Sequence, residues 1–354
     1  MMKLKSSIRD YEVHFENDPG FLAALTTSPQ RCFAIDQNVW RLYSETLLTG
    51  IDPADVFVLH AEEERKSLDT VLELYNFLLT RSARRNITLI SIGGGITQDV
   101  TGFVASTLYR GINWIFVPTT LLAQADSCIG SKTSLNYLHF KNTIGTFYPP
   151  SDVFIYIPFL NTLEDPYFMS GLGEIVKLAI IGGEKAAEEM IELLPGALQR
   201  SQETLATCVL RSLSIKQGYI DEDEFDTGRR NMLNFGHCFG HAIESTSDFE
   251  IPHGQAVLLG VLLANMVARE RRLLSDALYT FVLEKLLLPS LSVKPKESHL
   301  DPDTIIAAMQ RDKKRTGEGL PLIMMKERYE MVKVADLGPA EVAEALDQAR
   351  RLLA

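Results

Sequence analysis

Residues 87–118, ITLISIGGGITQDVTGFVASTLYRGINWIFVP, decide the fold class. Residues 87–92 are a short apolar run rich in isoleucine, as expected of a strand buried on both faces of a parallel sheet. The run passes directly into Gly93, Gly94 and Gly95, and a helix follows from about residue 98 to 109. Residues 114–117 form the next strand, stopped by Pro118. Strand, helix and strand of these lengths predict a parallel, doubly wound α/β sheet. Glycines at such a turn let backbone amides approach a pyrophosphate, where a helix N-terminus favours negative charge. GGGITQD lacks the third glycine of the usual dinucleotide fingerprint, and Asp99 equally fits a first-turn acid favoured by the helix dipole.

The same alternation extends outward. Residues 11–15, 32–35, 56–59 and 153–157 read as further strands, and 67–80 has helical periodicity. Asp36 and Asn38, at the end of one strand, are placed to touch a bound ligand. After Pro149 and Pro150 the character changes, and apolar residues recur at helical spacing over 173–181, 187–194 and 204–220. We therefore expect an α/β domain over residues 1–160 and an all-helical domain over 161–354.

Composition bounds the function. At 46% hydrophobic and 23% charged residues, the chain can build a globular core. A net charge of -11 argues against nucleic acid or an anionic membrane as partner. Cys32, Cys128, Cys208 and Cys238 are scattered without a CxxC spacing, which fits reduced thiols rather than a disulfide framework. The N-terminal MMKLKSSIRDYEVHF has no apolar core for a signal peptide, and the longest apolar run, 256–268, is too short to span a bilayer. A cytoplasmic protein is expected.

Residues 229–257, RRNMLNFGHCFGHAIESTSDFEIPHGQAV, hold three of the seven histidines. His237 and His241, four apart, share one face of a helix, and His253 can return to the same place after Pro252. Arg230 lies one helical turn before Asn234 and two before His237, so helical geometry would point all three the same way. Glu174 and Lys177 sit one turn apart in GLGEIVK, where an exposed ion pair is the plain reading. Beside the histidines, Glu174 also becomes an oxygen ligand for a divalent ion in a Glu/His/His set with an open position. Residues 118–142, PTTLLAQADSCIGSKTSLNYLHFKN, supply Thr119 and Thr120 at a strand end, then Asp126, Lys132, Lys141 and Asn142 in a glycine-rich polar stretch. Lys132 in GSKT can present an ammonium to a phosphate, although both glycines of a P-loop are missing. Lys216 precedes an acidic run that reads as a solvated face.

Taken together, GGGITQDVTGF, LYRG, PTTLLAQADSCIGSKTSLN, KNTIGTFYPP, GEIVK, LNFGHCFGHAIE, HGQAV and RDKK resemble, in order and spacing, the motifs of the 3-dehydroquinate synthases, within the wider sugar phosphate cyclases. The resemblance covers roughly residues 30–330. It implies a Rossmann-like NAD domain, a helical domain binding zinc or cobalt, and a homodimer. It further implies a phosphate-eliminating lyase of the shikimate pathway of aromatic amino acid biosynthesis, converting 3-deoxy-arabino-heptulosonate 7-phosphate to 3-dehydroquinate. Transient oxidation by NAD, elimination of phosphate, reduction and an intramolecular aldol step would follow one another.

By the same resemblance the metal ligands are Glu174, His237 and His253, and His241 becomes a substrate-side residue. The catalytic set comprises Asp126, Lys132, Lys177, Lys216, Arg230, Asn234 and His241. Asn142 and one of Lys313 and Lys314 bind substrate, and Arg110 reaches the phosphate in the partner subunit's site. The NAD set is Asp36, Asn38, Glu63, Lys66, Gly94, Gly95, Asp99, Thr119, Thr120, Lys141, Phe159 and Thr162. Phosphate would be met by Lys132, Asn142, Asn234, Arg110 and the late lysine, and the carboxylate by Lys216 and Arg230. The chain departs from the family pattern at Gln98, Ser131, Asp226, Cys238 and Gln255, of which Asp226 and Gln255 are expected to lie closest to the site. Cyclases acting on sedoheptulose 7-phosphate, or forming valiolone or inosose rings, are the alternative, and a metal-dependent polyol dehydrogenase is a more distant one.

Overall fold

The computed structural model describes all residues except 28–29, 82–83, 139, 312–318 and 354. The chain divides into two compact units, Met1–Leu163 and Glu164–Ala354.

Among the described residues of the first unit, nine strands and four α-helices follow one another. They are β1 (Met2–Leu4), β2 (Tyr11–Phe15), α1 (Gly20–Leu25), β3 (Arg31–Asp36), α2 (Gln37–Tyr43), β4 (Val56–Leu59), α3 (Leu68–Thr80), β5 (Thr88–Gly93), α4 (Gly95–Thr107), β6 (Asn113–Pro118), β7 (Lys132–Tyr137), β8 (Phe140–Phe147) and β9 (Asp152–Ile155). Seven strands form one sheet in the order β1-β2-β9-β6-β5-β3-β4. All neighbours in it are parallel except the edge pair β1 and β2. Phe33, Ile35, Ile90, Ile92, Val117 and Phe159 pack into one apolar cluster, which explains why the strands read as unbroken apolar runs. Pairing of Ile35 with Ile92 and of Gly93 with Pro118 brings the carboxyl ends of β3, β5 and β6 to one edge. In open α/β sheets that edge binds ligands.

The stretch after Pro118 is more ordered than its glycine-rich composition predicts. A π-helical turn, Ala123–Ser127, leads into the antiparallel hairpin of β7 and β8. Thr133 and Leu135 are buried while Lys132, Ser134 and Asn136 are more exposed, a period-two pattern hidden among small polar residues.

The second unit is helical: α5 (Asp165–Ile181), α6 (Glu184–Leu198), α7 (Gln202–Glu222), α8 (His237–Thr246), α9 (His253–Glu270), α10 (Asp276–Val282), α11 (Leu288–Ser290), α12 (Pro302–Arg311) and α13 (Pro339–Leu353). One feature departs from the all-helical expectation, an antiparallel hairpin of β10 (Leu320–Met325) and β11 (Met331–Leu337). Its first strand is a six-residue apolar run, a length at which periodicity does not separate strand from helix. Every residue of α9 from Gly254 to Ala268 is buried, so the longest apolar run is the central helix of this unit. Among the described residues no helix is long and apolar enough to cross a membrane.

Glycine sets how closely the helices meet. A Cβ on Gly254 of α9 would lie 1.8 Å from the carbonyl oxygen of Ser170 in α5, and one on Gly260 would lie 1.9 Å from that of Gly236, just before α8. Both obstacles are backbone, which cannot swing aside. Exposed Gly218, within α7, has nothing within 4 Å of such a Cβ. Gly254→Ala is therefore expected to destabilise by about 1–3 kcal/mol or more through overpacking. Gly218→Ala is expected to stabilise by about 0.8–1 kcal/mol through helix propensity. Thermal melts of the two variants should move in opposite directions.

Candidate active site

The carboxyl edge of the first unit carries one polar set. Asp36, ending β3, caps α2 by accepting hydrogen bonds from the backbone amides of Asn38 (2.7 Å) and Val39 (3.4 Å), and burial pushes its carboxyl up. Gly94 is the N-cap of α4. A Cβ there would meet Thr120 Cγ2 at 2.9 Å, and Thr119 donates its amide to the Gly93 carbonyl at 2.9 Å. Gly95 follows at the first position of α4.

A second network centres on Asp99. Its carboxylate meets Lys66 Nζ at 2.6 Å and accepts from the Ser134 amide (2.9 Å) and hydroxyl (3.0 Å). Burial raises the Asp99 carboxyl, while Lys66 and Ser134 pull it down. Lys66 also donates to Asn142 Oδ1 at 2.6 Å, and Asn142 sits at φ 52 with its amide on Asn136 Oδ1. Asn136 Nδ2 donates to Glu63 Oε1 at 2.7 Å, and Lys141 lies 3.5 Å from the same oxygen. Glu63, Lys66, Asp99, Lys141 and Asn142 thus form one connected group. Ser134 and Asn136, the bridging residues, were not anticipated; their alternation along β7 was the available signal. Phe159 is buried edge-on against Tyr43, whose hydroxyl lies 2.7 Å from Thr162 Oγ1. Asp126 lies in the π turn, Lys132 opens β7 and is exposed, and Arg110 is exposed at φ 64.

In the second unit α5 buries thirteen of its seventeen residues, Glu174 and Lys177 among them. Glu174 has no exposed surface, and Lys177 Nζ lies 2.6 Å from its Oε2. The plain reading of an exposed pair fails because this face of α5 lies inside the helical core. Lys177 also donates to the Leu233 carbonyl at 2.9 Å, tying α5 to the 3-10 turn Arg229–Asn234. On the other oxygen, Oε1, His253 Nε2 stands at 3.4 Å and His237 Nε2 at 3.8 Å. These separations match the roughly 3.3 Å between ligand atoms of a tetrahedral ion with bonds of about 2.0–2.1 Å.

Second contacts orient both imidazoles. His237 Nδ1 lies 3.2 Å from the Phe235 carbonyl, which accepts its hydrogen and leaves Nε2 as the lone pair. His253 Nδ1 lies 3.1 Å from Glu244 Oε2. Glu244 was missed by the sequence reading, although it falls seven residues after His237 and three after His241 on α8, the spacing of a shared face. Burial alone would raise the Glu174 carboxyl, but Lys177 and the two histidines hold it well below the ordinary range. Burial and Lys177 hold His237 well below its usual value, as a neutral ligand requires. Burial opposes charge on His253, yet Glu174 and Glu244 together push its imidazole up to about 10. His241 is the third ring of the cluster, with centroids 5.1 Å from His237 and 5.9 Å from His253.

Lys216 on α7 and Arg230 are both buried. Arg230 donates to the Glu224 carbonyl, and Asp223 accepts its backbone amide at 3.1 Å. Asn234 ends the 3-10 turn, with Nδ2 on the Asn231 carbonyl at 3.1 Å. Arg230 and Asn234 do not continue into α8: Gly236, at φ 79, breaks the helical path that would have aligned them with His237. Lys313 and Lys314 lie outside the described residues.

The departures from the family pattern separate here. Gln255 is fully buried, donating to the carbonyls of Met169 (2.8 Å) and Ser290 (3.1 Å) and accepting from the Ser292 amide (2.8 Å). It is a structural amide joining helices rather than a group that reshapes the site. Gln98 is likewise locked, exchanging hydrogen bonds with Ser127 at 2.6 and 2.7 Å. Asp226 and Ser131 occupy positive φ, 58 and 64, and Asp226 accepts from Asn231 Nδ2 at 2.9 Å. Cys238 is half-buried on α8.

The chain matches the 3-dehydroquinate synthase N-terminal family over residues 56–170 and the 3-dehydroquinate synthase C-terminal family over 171–315. It is 35% identical over 348 residues to a 3-dehydroquinate synthase of Clostridium tetani, covering 98% of this chain and 89% of that protein. Among solved structures it resembles a 2-epi-5-epi-valiolone synthase from Streptomyces hygroscopicus with NAD+ and Zn2+ bound (TM-score 0.85, 28% identity, 99% of each chain). It also resembles a 2-deoxy-scyllo-inosose synthase complexed with carbaglucose-6-phosphate, NAD+ and Co2+ (TM-score 0.84, 25% identity, 98% of this chain and 99% of that one). A glycerol dehydrogenase from Schizosaccharomyces pombe, at 16% identity and TM-score 0.64 over 98% of this chain and 92% of that one, shares the fold alone.

Two outcomes follow from the geometry. Glu244→Gln removes the charge behind His253 and is expected to lower zinc affinity about 10–100-fold with the helical circular dichroism unchanged. Gln255→Glu would set a buried carboxyl against two carbonyl oxygens, raising its pKa above the unfolded value of about 4.3. Stability relative to the parent is then lost as pH rises above that value, so the deficit in unfolding free energy should widen from pH 4.5 to pH 7.5, by about 1–3 kcal/mol in all.

Proposed function

The chain belongs to the 3-dehydroquinate synthase family, and from that membership we propose that it converts 3-deoxy-arabino-heptulosonate 7-phosphate to 3-dehydroquinate and phosphate. The observation that carries this reading is the charge of the second unit's interior. Among the described residues its buried lysines and arginine are Lys177, Lys216 and Arg230, and its one buried carboxylate is Glu174. A core with that balance favours an anionic ligand, and a substrate bearing both carboxylate and phosphate supplies the charge.

Glu174, His237 and His253 would hold a divalent ion, zinc or cobalt. Their fit rests on the fully buried carboxylate and on the two Nε2 atoms that converge on its Oε1. Asp36, Asn38, Gly94, Gly95, Thr119 and Thr120 at the sheet edge, with the network of Glu63, Lys66, Asp99 and Lys141 and with Phe159 and Thr162, would hold NAD. The ion would supply Lewis acidity toward a ring hydroxyl, and NAD would supply reversible hydride transfer.

The chain's own residues bind, orient and move protons. Lys216 and Arg230 are assigned to the substrate carboxylate. Lys132, Asn142, Asn234 and one of Lys313 and Lys314 are assigned to phosphate, with Arg110 reaching the partner's site in a homodimer. Lys177, neutralising Glu174, keeps the ligand carboxylate ionised. His241 and Asp126 are assigned to the substrate side of the pocket. With NAD used only catalytically, no net redox change would accumulate, and the overall reaction would be that of a phosphate-eliminating lyase. Aromatic amino acid biosynthesis through the shikimate pathway, in the cytoplasm, is the setting this reading gives. The resemblance to valiolone and inosose synthases supports one alternative, a cyclase acting on another sugar phosphate such as sedoheptulose 7-phosphate.

Purified, metal-loaded protein with catalytic NAD should release one phosphate per heptulosonate phosphate without accumulating NADH absorbance. Accumulation of NADH would instead mark a dehydrogenase, and phosphate release from sedoheptulose 7-phosphate alone would favour the alternative. Arg230→Ala should cost about 10–100-fold or more in kcat/KM, as loss of a buried charged contact does, while leaving NAD binding within about twofold. Wild-type kcat/KM in that variant would remove Arg230 from the carboxylate site.

A further inference from the structure

We propose a second divalent-cation site in the first unit, formed by Glu12, His14 and Asp152, that takes zinc or a similar N/O-liganded ion. Glu12 and His14 are two apart on β2 and so project from the same face of the sheet. Asp152 on β9 is the direct parallel partner of Glu12. One ligand atom from each of the three residues falls within 4.8 Å of the others. His14 Nε2 stands 2.9 Å from Asp152 Oδ1, a hydrogen bond whose proton the ion would displace, and 4.0 Å from Glu12 Oε2, spacings that bracket the roughly 3.3 Å between ligand atoms on zinc.

Three features separate this group from an ordinary surface cluster of acids. The first is the imidazole, which gives affinity for zinc-like ions that carboxylates alone lack. The second is rigidity. The His14 ring stacks on Phe154 at 4.7 Å and 15°, and Phe154 stacks in turn on Phe21 at 5.4 Å and 13°. The ring therefore has little freedom to lose when Nε2 takes an ion. The third is access, because the side chains of Glu12, His14 and Asp152 are 35%, 23% and 34% exposed, enough for a partly hydrated ion to enter without unfolding.

The cation now nearest Glu12 is Lys3, at 3.2 Å, and its side chain is 69% exposed, so it can move into solvent as the ion binds. Arg9 lies close enough to Asp152 for their charges to interact, and its guanidinium is held by Asn113 Oδ1 at 2.9 Å and the Pro149 carbonyl at 2.7 Å. Two carboxylates and a neutral imidazole balance a divalent charge, leaving waters to complete the coordination. Bridging β2 and β9, the ion would clamp the strand pair that attaches the β1–β2 edge to the rest of the sheet.

The test is zinc stoichiometry of the full chain, by equilibrium dialysis with metal analysis, read against thermal stability. The parent should hold two zinc ions per chain, and His14→Ala should hold one and lose the part of the zinc-dependent melting shift that this site supplies. The double variant Glu12→Gln, Asp152→Asn keeps the stacked ring and should also hold one. Conversely, Glu174→Ala with His237→Ala should retain one ion, which His14→Ala then removes. A zinc content that is the same in the parent, in His14→Ala and in the double variant would overturn the site, whatever the total. Phosphate release is expected to be unchanged in the His14 and Glu12/Asp152 variants, so failure of this site and failure of the cyclase reading give different results.

Discussion

A carboxylate sealed from solvent is expensive, and the second unit is built around keeping Glu174 ionised. Moving such a charge from water into a protein interior costs several kcal/mol, which only close, well-placed opposite charge offsets. Lys177 supplies a full charge at 2.6 Å from one turn away, and the imidazoles of α8 and α9 face the other oxygen. That arrangement requires three helices to approach more closely than side chains allow. Gly254 against Ser170 and Gly260 against Gly236 meet the requirement with backbone contacts. The glycines and the buried charge therefore belong to one constraint. Without the close crossing the imidazoles would stand too far away, and without the charges the crossing would bury an uncompensated anion.

The first unit solves a different problem, gathering polar groups from distant segments at one edge of an apolar sheet. Parallel register brings Asp36, Gly94 and Thr119 to adjacent strand ends. The β7–β8 hairpin then carries Ser134, Asn136 and Asn142 to Asp99, Lys66 and Glu63. Each of these polar side chains holds another in place, so the orientation of Lys66 depends on residues 33 and 76 positions away along the chain.

How much of this was legible in the sequence follows from the range of the interactions. The α/β class was readable because burial on both faces leaves unbroken apolar runs, and the strand ends identified Asp36 and the glycine turn. The three histidines were readable as a cluster, but which of them face Glu174 was not. That choice depends on the left-handed Gly236, which also turns Arg230 and Asn234 off the axis of α8. Glu63, Lys66, Phe159 and Thr162 stand in no periodic pattern and entered only through family resemblance. Glu244 left a spacing signal that was overlooked. Gln255, expected beside the chemistry, turns out to be committed to three backbone partners, a fact that only packing reveals.

The contact between Ser170 and Gly254 also fixes an order of assembly. Helices α8 and α9 are consecutive and can dock through local contacts on a microsecond scale. Ser170 and Gly254 are separated by 84 residues, so their meeting closes a long loop, the kind of step that topology makes slow. His237 and His253 are close in the chain and can meet through local contacts, whereas Glu174 meets them only across the longer closure. Tight capture of an ion by the proposed set thus waits for the long-range closure, and a chain that stalls before it remains a poor competitor for scarce metal.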